Sequence, residues 1–319
     1  MTAVARTVLG DVPADRLGPA YLHEHLIIDS PLVQDRFPHI WLPSVDEAGA
    51  EVAECAAAGV GTMLDAMPCA AGRDVVKLAA VSRATGVHLV AATGLHTAKY
   101  YAGRPWTQEE DESVLADLFT ADVVDGIDRH DYGGPVIRRT GHRAGVVKAA
   151  TAGDRPSAAE RRAFTAAAET VRRTGVPLLT HCEEGRGAVA QLELLRELGV
   201  PLERVVLSHT DKVRDAGYHR ELLQSGVNLE YDQALRQEPD EPRGTARLVA
   251  EAVTAGHAGQ LMLGTDGARR SLWRALGGSP GLAWLLSGFP AVLDRHGVDA
   301  ETQRRLLVDN PARVLSLAR

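Results

Sequence analysis

Short apolar runs, each about the length of a β-strand, recur eight times along the chain, with longer Ala-, Leu-, Arg- and Glu-rich segments between them. The runs are Ala20 to Ile28, Val60 to Ala66, His88 to Thr93, Gly145 to Ala149, Val176 to His181, Arg204 to His209, Val227 to Tyr231 and Gln260 to Asp266. The intervening segments read as helices over Ser44 to Ala58, Asp74 to Thr85, Glu109 to Gly126, Ser157 to Thr174, Gly187 to Leu198, Tyr218 to Ser225 and Thr245 to Ala255. Strand-length apolar runs alternating with helices are the pattern of parallel strands joined by crossover helices. Eight such units predict an α/β fold of the (β/α)8 TIM-barrel type. The 319 residues exceed the roughly 250 typical of that barrel, and no linker or composition break divides them, so residues 1–319 are expected to form a single domain. Several helices close on glycine before a β-type residue, as in Ala58-Gly59-Val60, Thr85-Gly86-Val87, Thr174-Gly175-Val176 and Leu198-Gly199-Val200, where glycine releases the chain into the next strand. Asp128 to Arg143, with three glycines and a proline, reads as a hairpin or loop before the fourth strand. Asp309-Asn310-Pro311-Ala312 reads as a helix start, with Asn310 as cap and Pro311 in the first helical position.

Apolar residues make up 45% of the chain and charged residues 24%, enough to build a large core. The net charge of -7, with no block of Lys or Arg, offers no electrostatic footprint for nucleic acid or an anionic membrane. No apolar run reaches the roughly 18 residues that span a bilayer, and Met1 to Leu9 has no apolar segment of signal-peptide length. A cytoplasmic protein acting on a small molecule is therefore expected. Cys55, Cys69 and Cys182 are odd in number and lack CxxC spacing, which points to neither a disulfide framework nor a zinc ribbon. Cys182 reads as a small buried thiol.

Barrel enzymes gather their active groups at the C-terminal ends of the strands, and here those ends are polar. His23-Glu24-His25 alternates within the first run, so both imidazoles share one face while Glu24 takes the other. His181 ends the fifth run, His209 the sixth and Asp266 the eighth. Lys148 interrupts the apolar fourth run, where an unpaired ammonium would carry a large desolvation cost. Two explanations stay open: an ion pair with Asp266 or a neighbouring Glu, or reaction of the amine with carbon dioxide to give an anionic carbamate able to bridge two metals. In the second case four imidazoles, a carbamate and a carboxylate would hold two divalent ions, with Zn best suited and Mn, Co or Fe also compatible with N/O ligands.

This arrangement resembles the phosphotriesterase family of the amidohydrolase superfamily. The resemblance is carried by His23-x-His25, a lysine ending strand four, histidines ending strands five and six and an aspartate ending strand eight. Thr7-Val8-Leu9-Gly10, Leu17-Gly18, Ser208-His209-Thr210-Asp211-Lys212 and Gly277-Gly278-Ser279-Pro280-Gly281-Leu282 extend it over nearly the whole chain. It implies that His23, His25 and Asp266 bind the more buried ion, His181 and His209 the more exposed one, and Lys148, as N6-carboxylysine, both. Ions about 3.5–4 Å apart can share a bridging water and lower its pKa toward neutrality, giving a hydroxide nucleophile. Asp266 is then the candidate general acid/base. A homodimer is the expected assembly.

Substrate choice must come from the loops, where Arg236, Arg269, Arg270, Tyr100, Trp106, His96 and Trp273 are conspicuous. The three arginines can meet an anionic substrate near the metals or pair with Asp232, Glu238 or Asp240. The chain is only 4% aromatic and places arginines after strands seven and eight, whereas a neutral triester pocket should be apolar and aromatic. The resemblance of Tyr231-Asp232-Gln233-Ala234-Leu235-Arg236 and Gly277-Gly278 is to the lactonase and carboxylester branches. A lactone or carboxyl ester is accordingly the expected substrate, with phosphotriester cleavage as a side activity. Rival readings are an organophosphate triesterase proper or an N-acyl amide hydrolase, a catalytically silent metal-binding barrel, and a metal-free lyase or isomerase using Lys148 as a Schiff-base amine.

Overall fold

The computed structural model describes residues 3–238, 241 and 244–318. A short antiparallel hairpin, β1 (Val4–Thr7) and β2 (Gly10–Pro13), opens the chain. Eight strands then follow: β3 (Ala20–Glu24), β4 (Thr62–Asp65), β5 (His88–Gly94), β6 (Ala144–Thr151), β7 (Leu178–Cys182), β8 (Val205–Ser208), β9 (Asn228–Tyr231) and β10 (Leu261–Leu263). They pair in sequence order, all parallel. The seam between β10 and β3 is drawn together where Asp266 N–H donates to the His23 carbonyl at 2.8 Å and Thr265 N–H donates to the Glu24 carboxylate at 2.8 Å. The sheet thus curls into a nearly closed (β/α)8 barrel.

Period-two alternation divides the core into two. One set of side chains, Leu22, Leu64, Val90, Val146, Leu179, Val206 and Met262, fills the lumen as a packed apolar layer. The other set, including Tyr21, Met63, Leu89, Leu178, Leu207 and Leu229, faces the surrounding helices. The hairpin seals the N-terminal end: Val8 N–H donates to the Leu89 carbonyl at 2.8 Å, and Ala5 and Leu17 join Val314 and Leu315 in the lumen cluster. Polar chemistry is left to the opposite end.

The crossover helices start and stop on local signals. Ser44 accepts from Glu47 N–H at 3.2 Å ahead of the helix Val45–Ala57, and Asp74 accepts from Val76 and Lys77 N–H ahead of Val75–Thr85. Ser157 and Glu160 form a reciprocal capping box on Ala158–Thr174. Gly86 and Gly175 adopt the left-handed conformation expected at the helix ends. The segment before β6 folds back through an Asp128–Arg139 bridge, as the hairpin reading anticipates. No helix among the described residues is long and apolar enough to cross a membrane.

The C-terminal expectation is corrected. The chain is already helical from Ala300, passes through a π-type turn at Arg305–Asp309 and continues as Asn310–Leu315. Asn310 caps nothing. Its buried amide donates to the Ala258 and Leu261 carbonyls at 2.8 and 2.7 Å, locking this helix to the start of β10.

Candidate metal centre

The six side chains at the strand ends converge above the apolar lumen layer. On β3 the alternation is interrupted: Ala20 and Leu22 belong to the lumen, yet His23 reaches it as well, its ring centroid 4.5 Å from that of His209. The register against β4 shifts between Tyr21 and Glu24. Such a bulge exchanges the two faces of a strand and re-aims a side chain, so His23 and His25 turn inward. Glu24 turns outward to accept from Thr265, and burial pushes its carboxyl up to about 8. On β6, Val146 and Lys148 keep normal alternation, as do Leu179 and His181 on β7. His209 and Asp266 are swung inward by left-handed backbones, at φ 63° and 44°.

The donor atoms lie close together. His25 Nε2 is 3.5 Å from Asp266 Oδ1, and one donor each from His23, His25 and Asp266 lie within 4.8 Å of one another. A second such group is His23, His209 and Asp232. Both ring nitrogens of His23 and Nδ1 of His25 are buried without a hydrogen-bond partner, a costly state for three polar atoms unless an ion takes lone pairs among them. The His181–His209 pair is more telling. His209 Nδ1 lies 2.6 Å from Asp232 Oδ2, and His181 Nε2 lies 3.1 Å from Glu183 Oε2. Carboxylates only accept, so each of those nitrogens carries the proton. The remaining nitrogens, His209 Nε2 and His181 Nδ1, then face each other 2.8 Å apart as two lone pairs. A cation between them resolves the repulsion, and the residues therefore fit a metal centre.

Electrostatics favour the ligand forms. Burial and the nearby Lys148 hold His23 well below its usual range, and burial holds His25 and His181 at about 3, so these three imidazoles are neutral. Burial brings the Lys148 amine down to about 8; its Nζ donates to the Ala66 carbonyl at 2.8 Å. Burial is the largest influence on Asp266 and raises it, but the Arg236 guanidinium together with the neighbouring His209 and His25 outweighs burial and leaves the carboxyl below the ordinary range.

The centre opens into a cavity of about 330 Å³. Ile28, Phe37 and Ile40 after β3, Met67 after β4 and Tyr100 after β5 give an apolar arc, with Phe37 and Tyr100 in ring contact at 5.4 Å. Lys212 after β8, Arg236 after β9 and Arg269 after β10 give a cationic one. His96 and Tyr100 line the cavity as the sequence suggests. Thr97 N–H donates to His96 Nδ1 at 2.7 Å, leaving Nε2 as the protonated nitrogen.

The arginines separate. Arg269 lines the cavity and has no ion-pair partner among the described residues, and the same holds for Lys212. Arg236 lines it too but is turned onto Asp266. Arg270 is a correction: it does not line the cavity, and its guanidinium donates to the Trp41 carbonyl at 2.8 Å. Trp273 is another, since it is fully buried with its indole N–H on the Gly267 carbonyl. Trp106 packs against Tyr132 outside the cavity. Asp240 lies outside the described residues. Sequence reasoning missed Glu183, Lys99 and Lys212. Only the His181-Cys182-Glu183 spacing, in which a carboxylate follows a strand-end histidine by two residues, signalled the first of them.

A model of the phosphotriesterase family matches residues 3–315. The chain is 30% identical over 323 residues to the phospho-furanose lactonase of Mycoplasmopsis synoviae, covering 98% of this chain and 91% of that one. Among solved structures, an amidohydrolase from Mycoplasma synoviae superposes with a TM-score of 0.90 at 30% identity, covering 100% of this chain and 93% of the other. A variant of an organophosphorus hydrolase from Deinococcus radiodurans gives 0.80 at 31% identity, covering 99% and 98%.

Proposed function

The chain belongs to the phosphotriesterase family, and from that premise we propose that it is a metal-dependent hydrolase opening a lactone or carboxyl ester that carries an anionic group. The observation that carries the substrate reading is the cavity's charge: Lys212 and Arg269 face it without a protein anion of their own among the described residues. A phosphate or carboxylate on the substrate would complete them. The phospho-furanose lactonase among the relatives supports the phosphate.

His23, His25 and Asp266 would hold one divalent ion and His181 with His209 a second, Lys148 joining the two as a carbamate; zinc suits this donor set best, and Mn, Co or Fe also fit. Such a pair supplies an activated water near neutral pH and stabilises negative charge developing on the substrate's carbonyl oxygen. The chain's own residues do the rest. Lys212 and Arg269 anchor the anionic group, which fixes the scissile bond over the ligand cluster. His96 offers Nε2–H as a neutral donor beside His181, its ring 4.5 Å away. Asp266 keeps Oδ2 on Arg236 and Oδ1 toward His25, so Oδ1 is placed to accept the proton of the attacking water and return it to the departing alkoxide. The water oxygen bonds to the acyl carbon as the acyl–alkoxide C–O bond breaks, so a lactone gives a hydroxy acid and an open-chain ester gives an acid and an alcohol.

The test is a panel of γ- and δ-lactones with and without a phosphate or carboxylate, run beside aryl esters, N-acyl amides and a dialkyl aryl phosphate. Anionic lactones should be turned over fastest, and Arg269→Met should raise their KM about 10–100-fold, the 1.5–3 kcal/mol of a charge-assisted bond. Neutral lactones should be little affected. Preference for the neutral triester would instead favour an organophosphate hydrolase resting on the apolar arc.

A further inference from the structure

Glu183 has a place in this cluster that the ligand set does not account for. One oxygen, Oε2, lies between two donors: His181 Nε2 at 3.1 Å and Lys99 Nζ at 2.9 Å. The turn that presents it is tightly held. Glu184 and Gly185 are both left-handed, at φ 55° and 75°, and a Cβ on Gly185 would lie 2.6 Å from the His209 carbonyl oxygen. The Glu183 turn is thus pressed against the strand end bearing the other half of the histidine pair. Lys99 belongs to the loop after β5, whose His96 and Tyr100 line the cavity.

We propose that Glu183, held by Lys99, is a positioning residue that fixes His181 with Nδ1 turned to the more exposed ion and ties this ligand to the cavity wall carrying His96 and Tyr100. Asp232 does for His209 what Glu183 does for His181: a carboxylate takes the outer N–H, sets the tautomer and makes the inner nitrogen the better donor. The two outer carboxylates differ in surroundings. Asp232 is fully buried, whereas Glu183 stands at the cavity edge with its side chain 28% exposed, so it needs a second tether. Lys99 provides it from the loop after β5. The proposal rests on the metal reading of the site.

Cobalt(II) titration of the metal-stripped chain separates the two. The visible absorption of the bound ion and its stoichiometry by mass spectrometry are read for the parent chain, Glu183→Ala, Glu183→Gln and Lys99→Met. The parent should take up two ions. Glu183→Ala should weaken one of them by about 10–100-fold, the usual effect of removing a ligand's outer partner, and leave the other unchanged. Glu183→Gln should recover most of the loss, because its amide oxygen still accepts from His181 Nε2, and Lys99→Met should give a smaller shift at the same ion. A merely structural role would lower the melting temperature without dividing the two ions. Wild-type affinity at both ions in Glu183→Ala, or equal weakening of both, would overturn the proposal while leaving the metal reading intact. No uptake by the parent chain would overturn both.

Discussion

Arg236 closes over Asp266: its Nη2 lies 3.1 Å from Oδ2 and also donates to the Asp266 carbonyl, while Nη1 donates to the Thr265 carbonyl at 2.8 Å and the Asp232 carbonyl at 3.0 Å. The guanidinium is committed to holding a residue whose own backbone is left-handed. Its fork geometry serves four acceptors, which a lysine cannot match.

Arg236→Lys and Arg236→Met should therefore lower kcat by about 100-fold, the scale expected when a reacting group is misplaced by an ångström. KM for anionic and neutral lactones should change little and equally. Steady-state kinetics on one lactone of each kind checks this. A selective rise in KM for the anionic one would mean that Arg236 binds substrate, one of the two roles the sequence leaves open.

A second charged cluster lies outside the site. Arg73, 2% exposed, donates to the Ala92 carbonyl at 2.7 Å and pairs with Asp122 at 3.1 Å and Asp131 at 2.8 Å. Thr93 and Tyr132 complete Asp122. The network pins the Asp128–Arg139 fold to the C-terminal half of β5. Arg73→Met removes one partner and strands buried carboxylates, which should cost about 3–5 kcal/mol. Denaturant unfolding with an unchanged m-value checks it, and a loss under 1 kcal/mol would mean that the acids relax into water.

Glu51, on the helix Val45–Ala57, accepts from Ala275 N–H at 2.9 Å and Leu282 N–H at 2.8 Å. Leu282 in turn packs on Gly267, next to Asp266, where a Cβ would meet its methyl at 2.8 Å. The Gly277-Gly278-Ser279-Pro280-Gly281-Leu282 segment is thereby latched beneath the site. Glu51→Ala should cost about 1–3 kcal/mol for the orphaned donors. It should also speed proteolytic cleavage between Arg274 and Leu282. Unaltered cleavage there would show that the loop is held by its packing alone.

That latch illustrates what the sequence conceals. The barrel and the six strand-end groups are legible because each is a polar interruption of an apolar run, and burial makes such interruptions costly unless they serve a purpose. Glu51 lies 224 and 231 residues from its partners, and nothing local marks it among the other acids of an amphipathic helix. The exchange of faces at His23 depends on the register with β4, which one strand's own residues do not specify. Trp273 resembles a binding aromatic by its place after β10, yet its indole N–H finds the Gly267 carbonyl and the ring is buried. Glu183 is one acid in a loop until the fold sets it between His181 and Lys99.

Lys148 and Gly94 allow two ways of disturbing the same ligand to be compared. Gly94 sits at φ 93° against β6, and a Cβ there would lie 1.9 Å from the Lys148 carbonyl oxygen and 2.7 Å from its nitrogen. Gly94→Ala must push the β6 backbone away, at a cost of about 3 kcal/mol, and displaces Lys148 with its side chain intact. Lys148→Ala leaves the backbone in place and removes the amine. Both variants should lose bound metal and activity together. Only Lys148→Ala should be partly rescued by acetate or propionate, whose carboxylate can enter the space left by the side chain; in Gly94→Ala that space stays filled. Metal content and lactone hydrolysis, each measured with and without the short acid, separate the two cases. Full activity in Lys148→Ala would remove the bridging carbamate from the mechanism and leave Lys148 as a buried amine held by the Ala66 carbonyl.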